Sequence, residues 1–308
     1  MTLAPGPPQY DPDRGVRRVF GPLFAAACLL ATSSGVVVLS ILLGAVVAEL
    51  IRGAKGGSAI AMLGSLMSRM QSSEPGLSGF RAGIAGSLWL LGLVASFSIP
   101  VGVGAAVFLE EFAPPGRIRR VIQLNIANLA GVPSIVYGIL GLAAFVRAFG
   151  VKALALDKSL WAGSLTLSLL ILPVIVIATQ EALRTVPPSL RQAALALGAS
   201  RWQVVRDHVL PSAMPGVLTG VILALSRAIG ETAPLLMVGA AGAILTLPEG
   251  PSSRYTALPV EIYNYATEPD PEFKAVAAGG ILLLLALLLT MNATAIVIRN
   301  RYARSSRG

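Results

Sequence analysis

Two side chains stand where a charge is hardest to keep. Arg227 and Glu231 lie in a long apolar stretch four residues apart, so on a helix they share one face and can pair. Counted from Met214 at 1.5 Å per residue, Arg227 falls roughly 20 Å along a membrane-spanning helix. An unpaired charge there costs at least ~3 kcal/mol, and mutual pairing lowers that cost. Two chemistries fit the pair. One is an internal ion pair that holds helices together. The other is an anion-attracting guanidinium on a permeation path, neutralised by Glu231 when the path is empty. A planar guanidinium matches two oxygens of a tetrahedral anion at once, phosphate and sulfate alike. Ala224, Gly220 and Gly216 continue the stripe, the last two as a Gly-x-x-x-Gly that favours close helix packing. The stripe is therefore predicted to face the interior of a helix bundle.

Little else in the chain could do chemistry. The single His208 removes H-E-x-x-H zinc chemistry, and the single Cys28 removes both a disulfide scaffold and a thiolate metal site. Neither a catalytic residue nor a metal ligand is assigned. The chain carries no G-x-x-x-x-G-K-[ST] phosphate loop; the Gly-rich run from Gly53 through Lys55 to Ser58 has the wrong spacing. A membrane-embedded enzyme working through Glu231 or His208 would need a second catalytic group, and none is patterned near either. The chain is thus read as a non-enzyme without a bound cofactor.

Composition says where these residues sit. Of 308 residues, 55% are hydrophobic and only 13% charged, against a usual charged share of ~25%. Mean hydropathy is +0.75. Such a chain cannot cover a water-facing surface and is predicted to be an all-α integral membrane protein. The net charge of +9 does not imply nucleic acid, because no groove-reading or stacking motif accompanies it. Arg14, Arg17 and Arg18 precede the first apolar run, and Arg299, Arg301, Arg304 and Arg307 follow the last, as orientation in a bilayer requires.

Six spans of about 20 or more residues can be marked. A tail, 1–19, precedes the first, 20–49, which is charge-free from 20 to 48 and too long for a cleaved signal peptide. A loop, 50–81, leads to a core, 82–298, with spans at 82–109, about 126–145, about 160–179, about 214–245 and 275–298; a tail, 299–308, follows. The tail arginines together with Arg117, Arg119 and Arg120 place both termini in the cytoplasm and loops 50–81 and 246–274 outside. Pro100, Pro133, Pro173 and Pro234 fall within or near spans and permit kinks or breaks. Ser134 and Tyr137 lie beside one of them, either lining a path or making an interhelical hydrogen bond. Trp89 and Trp161 read as interface residues, and Trp202 as packing.

Residues 185–211, on the cytoplasmic side, are too polar to span. Ser189-Leu-Arg-Gln192 and Ser200-Arg-Trp-Gln203 both fit the S-x-x-Q capping box. Gly198 sits where a glycine ends a helix, and Pro211 is predicted to interrupt the next one. Two short helices with a glycine turn result. Ala193, Ala194 and Ala196 form a small-residue surface, either a docking face for another protein or an amphipathic face lying on lipid.

This segment resembles a family. Gln192-Ala193-Ala194-x-x-x-Gly198, nine residues, then His208-Val-Leu210-Pro211 is similar to the EAA loop of ABC importer permeases, Glu-Ala-Ala-x-x-x-Gly, nine residues, Ile-x-Leu-Pro. Gln192 stands for Glu with the capping role kept, and His208 stands for Ile as an interfacial residue. Arg227-Ala-Ile-Gly-Glu231-Thr232-Ala-Pro234-Leu-Leu resembles the fifth-span signature of the PstA family, the A-type permease subunits of bacterial phosphate importers. Gly131-Val-Pro133-Ser134-Ile-Val-Tyr137-Gly and Ile262-Tyr-Asn264-Tyr are similar too, and the likeness covers about 83–301.

The resemblance implies a type I ABC importer permease fold that moves inorganic phosphate across the bacterial inner membrane. Its coupling loop, with Gln192, Ala193, Ala194, Gly198, Leu210 and Pro211, would insert into a cleft on a separate subunit that uses ATP and Mg. The substrate path would include Arg227, Glu231, Thr232, Ser134 and Tyr137. Expected partners are a homologous PstC-like permease, a dimer of PstB-like ATP-binding subunits, an external phosphate-binding protein and membrane lipid. The alternative is a permease for another oxyanion, such as sulfate or molybdate.

Overall fold

Inside hydrocarbon a backbone must satisfy its own hydrogen bonds, and a chain this apolar meets that demand with helices. The computed structural model describes residues 14–54, 57–240, 242, 244 and 246–305, excluding the side chains of 14–20 and 302–305. Lys55, Leu245 and Arg307 therefore lie outside the described residues, as do the side chains of Arg14, Arg17, Arg18 and Arg304. Every regular element among the described residues is helical.

Helix α1 (Arg14–Gly53) forms, up to Ala48, a unit of its own. It is apolar all round, and residues 21–45 are exposed, the pattern of a helix solvated by lipid. The second unit, Glu49–Gly308, is organised around α6 (Leu160–Arg184), whose most apolar window is 67% buried. Against α6 pack α3 (Arg81–Val107), α4 (Arg117–Ala130), α5 (Ser134–Gly141) and α9 (Leu210–Gly230). The close approach of α9 depends on Gly216 and Gly220, which rest on Ala182 and Ala178 of α6. Pro100 and Pro173 lie inside α3 and α6 without ending either helix.

Among the described residues, five helical stretches are long and apolar enough to cross a membrane: Gly21–Gly53, Arg81–Phe112, Leu160–Arg184, Arg201–Gly230 and Phe273–Arg301. The predicted span at 126–145 is not one helix. Arg117–Ala130 and Ser134–Gly150 meet at 103°, and make a sixth span only if the bent pair is counted as one. Pro133 is the cause: it has no N–H and drives the residue before it out of the helical region. The predicted span at 214–245 also fails at its far end. The helix stops at Gly230, Glu231 is extended, and α10 (Ala233–Val238) ends at Gly239 in the left-handed conformation, φ +103°. Gly230, Gly239 and Pro234 break a run that composition alone reads as continuous.

The segments read as Gly-, Ser- and Pro-rich outer loops form a packed layer. Loop 50–81 contains α2 (Ala59–Ser68), and 246–274 contains α11 (Leu258–Thr267), which lies on α3 and on α12 (Phe273–Ser305). Tyr265 meets Phe80 edge-on at 5.3 Å and stacks on Phe273 at 5.4 Å. Its hydroxyl accepts from the Ser72 N–H and donates to the Gly79 carbonyl.

One turn earlier, Glu261 is fully buried against the start of α3, where a Cβ at Gly83 would collide with its carboxyl. Burial pushes this carboxyl up to about 8, only partly offset by the backbone of Gly83; neither oxygen completes a well-formed hydrogen bond. The folded protein thus holds a proton that the unfolded chain releases near 4.5. Its contribution to stability is complete below that pH and is lost as pH rises through about 8, up to about 5 kcal/mol in all. Glu261→Gln should raise the unfolding midpoint at pH 9 and leave it nearly unchanged at pH 4. Thermal unfolding of the detergent-purified protein across that range is the check; equal pH slopes for both proteins would contradict the assignment.

Candidate functional site

The two chain breaks meet. Helices α5 and α10 lie side by side, with Gly138 pressed on Pro234: a Cβ at Gly138 would sit 2.7 Å from the Pro234 Cα. Tyr137, 5% exposed, reaches back across the break between α4 and α5, and its hydroxyl donates to the Leu129 carbonyl at 2.9 Å. Ser134 opens α5 one turn before Gly138 and is half-buried.

Arg227 and Glu231 stand beside this junction. Arg227 Nε donates to Glu231 Oε1 at 3.2 Å, with the side chains 46% and 18% exposed. Tyr137 is within electrostatic reach of the guanidinium. The predicted interior stripe holds only in part: Gly220 and Ala224 are buried, Gly216 rests on Ala182 but is exposed, and Arg227 is half-exposed. The reason is the early end of α9, which places Arg227 in the last helical turn, where a cation complements the helix dipole. Thr232, half-buried, opens α10 without a side-chain cap bond. Arg227, Glu231, Thr232 and Tyr137 are thus brought to the place where two helices are interrupted, with Ser134 one turn away on α5.

Residues 185–211 fold as two short helices, α7 (Pro188–Ala196) and α8 (Arg201–Val204), about a glycine turn. Gly198 has φ +87°, a conformation that side chains resist. Its N–H and that of Ala199 close on the carbonyls of Leu195 and Ala194 in a Schellman pattern. The Ser200–Gln203 capping box forms in both directions. The Ser189 box does not: Pro187 is the N-cap and Pro188 the first helical residue, so the serine lies inside the helix, without a cap bond. Pro211 does not interrupt the second helix. A π-turn, Val205–Val209, leads from α8 into α9, whose first turn tolerates a residue without an N–H.

The motif residues divide by face. Gln192, Ala193, Ala196, Gly198, His208 and Pro211 are exposed, Leu210 is half-buried, and Ala194 is buried in the core rather than on the predicted alanine surface. Leu197, 90% exposed, projects beside Gly198. Trp202 packs less than predicted: it is 57% exposed and meets Phe112 at 6.3 Å. Leu197 is a feature that motif matching passes over, although a bare leucine beside the turn glycine is its signal.

A second missed feature lies at the end of α3, where a π-turn, Phe108–Phe112, carries Glu110 and Glu111. Glu110 accepts from Arg184 at 3.0 Å and 3.2 Å and from Arg119 at 3.2 Å. Glu111 accepts from Arg191 Nη2 at 2.7 Å and Nε at 3.2 Å. The clue in sequence is two glutamates closing an apolar span while arginines cluster in later segments.

Residues 98–302 match the family described as binding-protein-dependent transport system inner membrane component. The chain belongs to that family. The permease is 38% identical over 216 residues to the phosphate transport system permease protein PstA 1 of Mycobacterium tuberculosis H37Rv, covering 70% of this chain and 67% of that one. It is 36% identical over 233 residues to the probable ABC transporter permease protein YqgI of Bacillus subtilis, covering 70% and 76%. Its fold is shared with a chain of the inward-facing MetNI methionine ABC transporter, with a TM-score of 0.57 at 21% identity over 75% of this chain and 99% of that one. A bacterial alginate ABC transporter chain gives 0.64 at 17% identity over 92% and 98%.

In this permease the Tyr137 hydroxyl is committed to the Leu129 carbonyl, so Tyr137→Phe should cost about 1 kcal/mol. Gly138→Val should cost more, because the Pro234 backbone cannot yield to a new side chain. Thermal unfolding of both variants tests the order; equal midpoints for Gly138→Val and wild type would show that the two short helices do not touch.

Proposed function

We propose that the chain is the transmembrane permease subunit of an ATP-driven importer of inorganic phosphate. The observation that carries this reading is the Arg227–Glu231 pair, its guanidinium half-exposed and joined to the carboxylate by one hydrogen bond at the junction of two broken helices. Interrupted helices inside a membrane expose backbone groups only where they line a cavity or are covered by protein. A guanidinium held there by a single carboxylate contact can exchange that contact for oxygens of a tetrahedral anion. Glu231 neutralises the site between substrates, and Thr232 and Ser134 supply hydroxyls at the starts of the two short helices. The PstA relatives support phosphate as the anion.

Energy enters by way of α7 and the Gly198 turn, which dock into a cleft on an ATP-binding subunit. Partners of this permease are a PstC-like companion, two PstB-like subunits that use ATP and Mg, and an external phosphate-binding protein. Both termini and α7 lie on the cytoplasmic side. This chain supplies the gate and the route, and hydrolysis belongs to the partner.

In proteoliposomes containing the whole complex, Arg227→Gln should lower phosphate uptake at least about tenfold, with assembly retained. Arg227→Lys should keep part of it, since charge remains but the two-pronged geometry is lost. Normal uptake by Arg227→Gln in an assembled complex would remove the residue from the path. Competition by unlabelled sulfate or molybdate as effective as that by phosphate would reassign the substrate. Gly198→Val strains the left-handed turn and should leave ATP hydrolysis running while uptake per ATP falls; undiminished coupling would contradict docking at this turn.

A further inference from the structure

We propose that Glu110 and Glu111 are positioning residues of the transport cycle, the pair through which a displacement of α7 is carried into α3. The proposal rests on the coupling role given above to α7.

The backbone of α7 lies against α8 and the π-turn that follows it, with no comparably extensive approach to α3 or α6. Arg191 bridges that separation. One guanidinium nitrogen and Nε donate to the Glu111 carboxylate, while Nη1 donates to the Val186 carbonyl at 2.7 Å and Nη2 also to the Leu183 carbonyl at 2.9 Å. Its fork is engaged with α3 on one side and with the end of α6 on the other. Arg201 adds a bond from α8 to the Glu111 carbonyl at 3.1 Å. Glu110, the preceding residue, points elsewhere and holds Arg184 of α6 on two oxygens together with Arg119 of α4.

Two consecutive carboxylates therefore bind the end of α3 to α4, α6 and α7, and the Glu111 carbonyl adds α8. The glutamate side chains are only 15% and 11% exposed, so water offers little replacement for a lost partner. Three arginines converge on the two carboxylates and a fourth on the Glu111 carbonyl; removing the Glu110 carboxylate leaves Arg119 and Arg184 without their shared counter-charge, and removing that of Glu111 leaves Arg191 without one. A guanidinium bonded on both edges cannot move along α3 without dragging the carboxylate with it. Motion of α7 then becomes motion of α3 rather than slip at a surface.

The test uses the complete complex in proteoliposomes, measuring phosphate moved per ATP hydrolysed. Glu111→Gln and Arg191→Gln should assemble and hydrolyse ATP near the wild-type rate, with phosphate per ATP reduced about tenfold. Arg191→Lys, which keeps charge without the fork, should recover part of the loss. Wild-type phosphate per ATP in both glutamine variants would overturn the proposal. Should the variants fail to assemble, spin-label distances decide, in an otherwise unaltered complex carrying Cys28→Ser. The distance between labels at Ala196→Cys and Phe108→Cys should stay fixed between nucleotide-free and ATP-trapped states, while that between Ala196→Cys and Ile298→Cys changes. A changing Ala196–Phe108 distance would overturn the proposal. A wild-type complex that moves no phosphate with ATP would instead fail the functional reading itself.

Discussion

A helix interrupted in an apolar environment leaves amide and carbonyl groups without partners, and everything distinctive in this permease follows from tolerating two such interruptions side by side. The break at Pro133 would be costly alone, as would the extended residue Glu231 after Gly230. Packing α5 on α10 through Gly138 and Pro234 lets each break shelter the other, and the Tyr137 hydroxyl joins the Val132 N–H as a second donor to the Leu129 carbonyl. The small residues are conditions of this arrangement, because a larger side chain at Gly138 would hold the short helices apart.

Ending α9 at Gly230 also makes Arg227 tolerable. In mid-helix a guanidinium would need a full set of partners. In the last turn the helix dipole favours its charge. The same dipole disfavours a carboxylate, so Glu231 is held there chiefly by Arg227. The pair is mutually dependent yet lightly bonded, the condition under which a passing anion can compete for the arginine.

How much of this was legible in sequence depended on whether a feature is local. Gly198 at positive φ, the Ser200–Gln203 box and the start of α6 at Leu160 follow from residues near one another in the chain, and they are present. Span counting agrees with five or six candidate spans, but the helices are not continuous through 126–145 or to the far end of 214–245. There a proline or glycine decides between a kink and a break according to what the neighbouring helix offers. Ser189 was misassigned because two prolines already start the helix at Pro188. Arg227 and Glu231 were paired correctly from a spacing of four, but their exposure was not legible, since it depends on where α9 stops. Glu110 and Glu111 stayed hidden because their partners lie as far as 90 residues away.

The two charge systems differ in a way that suits different tasks. At an effective dielectric near 20, a contact of about 3 Å between full charges gains on the order of 5 kcal/mol before desolvation and entropy are subtracted. Arg227–Glu231 has one such contact and a half-exposed guanidinium, so its net strength is small and water or an anion can replace it. Glu110 and Glu111 share their arginines over several bonds, and Arg191 is further fixed by two backbone carbonyls; release would strand partly buried charges together. A transport cycle of the proposed kind needs both: a pair that opens for each substrate and a cluster that stays closed while helices move. The permease places the weak pair at a break in its helices and the strong cluster where short helices must act on a long one, so the strength of each ion pair matches the mobility of the backbone that carries it.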